Sequence, residues 1–274
     1  MADKISHEPE YESTFTPQSI LYIFWAVALG MYLAMTLLPS WLPNLSASLA
    51  GAEPKAYWYL SRGSGFVAMT LLWASMAFGL TITNKMARLW PGAPTAFAVH
   101  EFVSLLGLAF VMFHALILMG DHFINFTFLQ VVIPFASSGF KPFWVGMGQI
   151  GFYSWALVTV SFYVRSHIGH NAWRLIHFVS FLTYVAALAH GLVSGTDTSA
   201  LWAQWYYWIS GGSLLFLTIY RVAASLSAPR PAVRIAAESR DHSLRECLKT
   251  SQKRRGRANL RDDQIQTSLP DRSE

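Results

Sequence analysis

Six stretches of the chain are nearly unbroken runs of apolar residues, at about 20–41, 57–81, 95–120, 143–163, 172–193 and 201–222. Each holds the roughly 20 residues that a helix needs to cross a bilayer. Proline and glycine punctuate their ends, at Pro39 and Pro43, Pro91 and Pro94, Pro134 and Pro142, and Gly195. The pattern predicts an all-α integral membrane protein, a six-helix bundle over 20–225. A polar segment, 1–19, precedes it and a basic tail, 226–274, follows. The first eighteen residues lack the basic start of a signal peptide, and the first apolar run is too long for a signal core, so it is kept as a helix. The loop 121–140 is also apolar, but Pro134 breaks it and 123–136 is too short to span. It is expected to be an interfacial or re-entrant segment over the outer face. No internal repeat or low-complexity segment is evident.

Composition sharpens the class. Only 13% of residues are charged and 53% are hydrophobic, about half the charge of an ordinary soluble domain. That excludes a soluble, largely disordered, collagen-like or disulfide-rich secreted protein. The single cysteine, Cys247, excludes an intramolecular disulfide, a c-type haem motif and a cysteine-rich zinc or iron–sulfur site.

Charge placement predicts orientation. Residues 229–274 hold eleven basic and seven acidic residues, a net +4. Lys85 and Arg88, then Arg165 and Arg174, then Arg221 and the tail fall on one side, against Lys55, Lys141 and Arg62 on the other. By the positive-inside rule both termini face the cytoplasm, and the third and fifth helices both run outward. The localisation expected is multi-pass, in a bacterial cytoplasmic membrane. The tail reads as a disordered extension touching anionic headgroups, or as a docking site for a partner. No aromatic residue follows Tyr220, which argues against base stacking and a nucleic-acid partner.

Four of the nine histidines, His100, His114, His177 and His190, fall inside the third and fifth spans. Ionisable side chains at bilayer depth are costly and usually face a protein interior with a partner. His100 and His114 are fourteen residues apart, and His177 and His190 thirteen. At ~1.5 Å rise these are separations of roughly 21 and 20 Å, inside a ~30 Å hydrocarbon core. With both helices running the same way, His100 shares a depth with His177, and His114 with His190. Two facing imidazoles at each depth are the ligand set of a bis-histidine haem. Fourteen residues stop about 40° short of whole turns and keep one face, whereas thirteen stop about 140° short, so His177 and His190 diverge on an ideal helix. A bend, a π-bulge or two haem azimuths would reconcile this. Two rival readings stand beside it. Intramembrane histidines serve as helix-to-helix hydrogen bonders. Zinc gathers three or four ligands at one point, which pairs about 20 Å apart do not offer.

These residues resemble the ferric reductase-like transmembrane domain family. That family includes the membrane part of NADPH oxidases and ferric-chelate reductases, and the haem subunit of the bacterial periplasmic methionine sulfoxide reductase system. The resemblance covers about 55–225 and rests on HEFVSLLGLAFVMFH (100–114), HFVSFLTYVAALAH (177–190) and WYLSRGSGF (58–66). It implies six helices holding two stacked b-type haems between the third and fifth. His100 and His177 would ligate the inner iron, and His114 and His190 the outer. Electrons would flow from a cytoplasmic-side donor to an outer acceptor. Arg62 matches an arginine near the outer haem, where it meets a propionate or an acceptor, a snorkelling arginine being the alternative. Arg174, three residues before His177, faces the inner propionates or is a plain positive-inside residue.

Two departures qualify the likeness. Many relatives carry a basic residue where this chain has Glu101, which would pair with a basic group or face the headgroups, without a catalytic role. The flavin- and nicotinamide-binding domain of the oxidases has no counterpart in the tail. The one GxGxxG match, at Gly146, Gly148 and Gly151, lies inside the fourth span and reads as a packing feature. No flavin or NAD(P) site is expected in this chain, so the donor is a separate reductase chain or a quinol. There is no HExxH, Walker loop or GxSxG, and no catalytic residue is assigned. The leading expectation is a membrane electron-transfer component with two non-covalent b haems. The alternatives are a quinol-linked cytochrome b anchor for a separate oxidoreductase, and a haem-free scaffold or transporter.

Overall fold

A computed structural model of the chain describes residues 13–41, 56–84, 86, 92–121 and 124–227. The described residues are almost entirely helical and include no strand. The long helices are α1 (Pro17–Trp41), α2 (Ala56–Thr83), α3 (Ala93–Leu116), α5 (Pro142–Tyr163), α7 (His170–Ser194) and α8 (Leu201–Ser227). A 3₁₀ turn, Ile117–Gly120, extends α3, and two short helices, α4 (Phe128–Val132) and α6 (Arg165–Ile168), fill connections. Among the described residues, four segments are long and apolar enough to cross a membrane: Ala56–Thr83, Ala93–Gly120, His170–Ser194 and Leu201–Ser227. Their outward faces carry large apolar side chains such as Leu175 (72% exposed) and Trp208 (76%). A water-facing surface would not hold a continuous belt of this kind.

The six long helices match the apolar runs to within a few residues, except that α8 continues to Ser227. Residues 17–19 of the polar segment open α1, which starts at Pro17. The chain divides into two compact units, Met1–Val222 and Ala223–Glu274. Of the second, only the last turns of α8 belong to the described residues, so the tail expected over 226–274 lies outside them from residue 228 onward.

The core follows from helical spacing. Met69, Leu72, Met76 and Leu80 recur every three or four residues on one face of α2. They meet Leu108 of α3, Trp155 of α5, Tyr184 of α7 and Leu214 of α8. Two pairs pack most closely, α2 with α3 and α5 with α7, and both are antiparallel. The backbone of α8 stands further off. Its aromatic residues bridge the gap: Tyr206 hydroxyl lies 3.0 Å from Thr70 Oγ1, and Phe66 packs 5.1 Å from the ring of Trp202. Trp73 Nε1 donates to Ser213 Oγ at 2.9 Å.

The two histidine-bearing helices start alike. Gly92, before α3, has φ 102°, and Gly169, before α7, has φ 84°. With ψ near 150° at both, this is backbone that only glycine adopts without strain. Gly92 stands eight residues before His100, and Gly169 stands eight before His177.

Candidate functional site: two histidine pairs

His100 on α3 faces His177 on α7, with ring centroids 6.2 Å apart and planes inclined at 68°. His114 faces His190 in the same way, at 6.1 Å and 83°. The four intramembrane histidines are therefore brought together as two pairs, fourteen residues apart along α3, or about 21 Å. The pairing requires α3 and α7 to run parallel. Their backbones do not form a closely packed pair, so the rings reach across an intervening gap.

Hydrogen bonding fixes the chemical form of three rings. His100 Nδ1 lies 2.8 Å from the carbonyl oxygen of Ser75, His114 Nδ1 2.7 Å from that of Ser61, and His190 Nδ1 2.8 Å from that of Trp144. A carbonyl only accepts, so Nδ1 must carry the proton and donate. In a neutral ring Nε2 then keeps its lone pair, the form that binds a metal. Ser61 and Ser75 reinforce the arrangement: Ser61 Oγ donates to the carbonyl of His114 at 3.1 Å, and Ser75 Oγ lies 2.7 Å from Ser104 Oγ.

His177 differs. It has no such carbonyl and packs instead on Trp173, 5.4 Å between ring centroids at 37°. α7 is an uninterrupted α-helix across both histidines, without a π-bulge. The two α7 rings meet their partners in unlike surroundings. Among the described residues, no three His, Cys, Asp or Glu side chains gather at one point. Each pair offers two nitrogens to a single centre rather than a closed tetrahedral set.

A cavity of about 480 Å³ surrounds His114 and His190, within the ~300–1,000 Å³ typical of cofactor pockets. Its walls are mostly apolar, with Leu72, Val111, Phe152 and Trp155 among them. The 121–140 loop closes one side through Phe126, Phe128 and Phe140. Gln149 on α5 holds that loop: its Nε2 donates to the carbonyls of Gln130 and Val131, both at 2.7 Å. Thr127 and Gln130 form a reciprocal capping box that starts α4.

The remaining sequence-selected residues fall as follows. Arg62 lines the cavity and forms a two-pronged ion pair with Asp197, Nε to Oδ2 at 2.9 Å and Nη2 to Oδ1. Arg174 is exposed on the first turn of α7 and makes no hydrogen bond or ion pair with a described residue. Glu101 neither pairs with a basic group nor faces headgroups. It is 6% exposed and accepts from the backbone N–H groups of Thr14 (2.8 Å) and Phe15 (3.4 Å) and from the Tyr163 hydroxyl (2.8 Å). The glycines at 146, 148 and 151 lie within α5, and no strand precedes them among the described residues. Gly146 meets the ring of Phe135 in the loop, Gly148 the ring of His190, and Gly151 lies against α7. Sequence reasoning missed Asp197 and the three carbonyl partners. A carbonyl carries no residue signature, and Asp197 lies 135 positions from Arg62.

No family model, curated protein or solved structure matches this chain.

Proposed function

We propose that this chain is a transmembrane electron-transfer protein of the ferric reductase-like type. In this reading all six long helices span the membrane, with both termini cytoplasmic. Two b-type haems stack within the bundle, the inner one on His100 and His177 and the outer one on His114 and His190. The observation that carries it is the pair of facing imidazoles at each of two depths, 6.2 and 6.1 Å between ring centroids. Each separation would leave room for one metal centre between the two rings of a pair. Ring tautomers set by three backbone carbonyls and the apolar cavity around the second pair agree with it.

Two further atoms support the fit. Trp173 Nε1 and Ser194 Oγ are buried without a partner. Each lies one turn beyond a histidine of α7, Trp173 before His177 and Ser194 after His190. A buried donor of this kind is costly unless something accepts from it, and the acidic edge of a porphyrin would.

Bound haem supplies a one-electron carrier at each depth. The chain's own residues would hold the two carriers about 21 Å apart along α3, each between two histidines, with apolar walls excluding water around His114 and His190. Held in this way, a haem would supply electron transfer to an acceptor at its edge. Either a separate reductase chain or a quinol donates from the cytoplasmic side. A dithionite-reduced difference spectrum of purified protein is expected to show sharp b-type bands. These should be lost when His114 and His177 are replaced together; their persistence would rule out the pairing.

A further inference from the structure

We infer that Gly65 and Gly148 are positioning residues, with Gly79 repeating their placement where there is more room: each leaves bare the helix carbonyl four residues before it, so that a histidine of the neighbouring helix docks its Nδ1–H there and turns Nε2 towards its partner ring. The inference deepens the paired-ligand reading and rests on it for its main readout.

The pattern is the same at three places. Ser61 O receives His114, and Gly65 follows four residues later. Ser75 O receives His100, and Gly79 follows at the same interval. Trp144 O, on a different helix, receives His190, and Gly148 follows again at four. Glycine supplies 18 of 274 residues, so three out of three is not a consequence of composition.

Helix geometry explains the interval. Cα–Cβ bonds tilt towards the helix N-terminus, so a side chain covers the turn before its own Cα. The residue at i+4 already uses one lone pair of carbonyl i for the helix bond, and its Cβ would overhang the second. A carbonyl oxygen has two lone pairs, and glycine leaves the second one open. A Cβ added at Gly148 would stand 2.7 Å from His190 Nδ1, and one at Gly65 would stand 3.0 Å from His114 Nδ1. At Gly79 the nearest atom is His100 Cε1 at 3.4 Å. The first is closer than real Cβ contacts allow, the second demands a small shift, and the third is ordinary contact. Gly63, on the same helix as Gly65, has nothing within 4 Å and serves as the control.

The test is the ferric low-spin EPR spectrum and midpoint potential of each haem in full-length G148A, G65A, G79A and G63A. A hydrogen bond from Nδ1–H makes the ligand more basic, so weakening it should raise the potential. G148A and G65A are expected to alter the spectrum and raise the potential of the centre that is lost on replacing His114. G148A should have the larger effect. G79A should shift the other centre least, and G63A should match wild type. Unchanged spectra in G65A and G148A, or an equal change in G63A, would overturn the inference. If G148A does not accumulate, G65A decides it, with the unaltered second centre as proof of folding. If wild-type protein takes up no haem, the paired-ligand reading fails by itself. Ring ¹⁵N shifts of His114 in the haem-free protein then decide the glycine inference. Nδ1 protonation in wild type and mixed tautomers in G65A support it, and identical shifts overturn it.

Discussion

Arg62 on α2 and Asp197, in the turn before α8, grip each other through two parallel hydrogen bonds at the rim of the cavity around His114 and His190. The side chains are 30% and 20% exposed, so the pair is partly shielded from water. The fork geometry suits guanidinium and carboxylate. Asp197 thus balances the charge of Arg62 and ties the end of α2 to the α7–α8 connection.

Replacing Asp197 by Asn keeps the shape but removes the charge. We expect a loss of about 1–2 kcal/mol, discounted for partial exposure, read as a lower Tm in detergent. Replacing both residues together, R62M with D197L, should cost less than the sum of the two single changes. A wild-type Tm in D197N would show that the pair contributes nothing.

Glu101 binds the segment before α1 to the bundle. Removing it in E101A leaves two backbone N–H groups and the Tyr163 phenol short of an acceptor. Such losses cost about 1–3 kcal/mol for each buried group left unpaired. E101Q keeps one acceptor oxygen, enough for one of the two amides, and should lose less stability than E101A. Hydrogen exchange should be faster at both Thr14 and Phe15 in E101A and at only one of them in E101Q; both amides exchanging at the wild-type rate in E101A would count against the tether.

Trp155 lies at the level midway between the two histidine pairs. It packs on Gly107, which is seven residues from both His100 and His114. A Cβ at 107 would stand 2.5 Å from the indole, so G107A forces the ring or the helix aside. Overpacking of this kind costs about 1–3 kcal/mol, and thermal unfolding checks it. W155A should also destabilise, through the cavity it leaves. The double variant G107A/W155A should be less destabilised than additivity predicts.

Gln149 latches the 121–140 loop, and Q149L removes its bonds to the carbonyls of Gln130 and Val131. Faster amide exchange across Phe128–Val132 is expected, with the helices unchanged. Exchange at the wild-type rate would show that the loop is held by Phe135 against Gly146 and by the Tyr153 hydroxyl on the Val132 carbonyl at 2.5 Å.

The helices were legible in the sequence because apolar run length and proline placement are local signals. Pro142 opens α5, and Gly195 closes α7. The histidine pairs were legible because residue counts convert to depth at a fixed rise per residue. Azimuth was not legible, since it depends on which helix packs beside which. His177 and His190 each meet a partner on α3, one ring packed against Trp173 and the other held on the Trp144 carbonyl. Glu101 was misjudged because its partners are backbone groups of Thr14 and Phe15, more than eighty positions away. The cradling glycines looked like ordinary small residues of a membrane helix. Only the carbonyl four residues before each gives them a role.

In the proposed function each imidazole pair clamps an iron porphyrin, and haem content tests that most directly. Pyridine haemochrome assay of the full chain, purified after porphyrin supplementation, should give two b haems per chain. That number should fall to one in H114A and to one in H100A. A folded, colourless protein, or a wild-type haem content unaffected by either change, would contradict it.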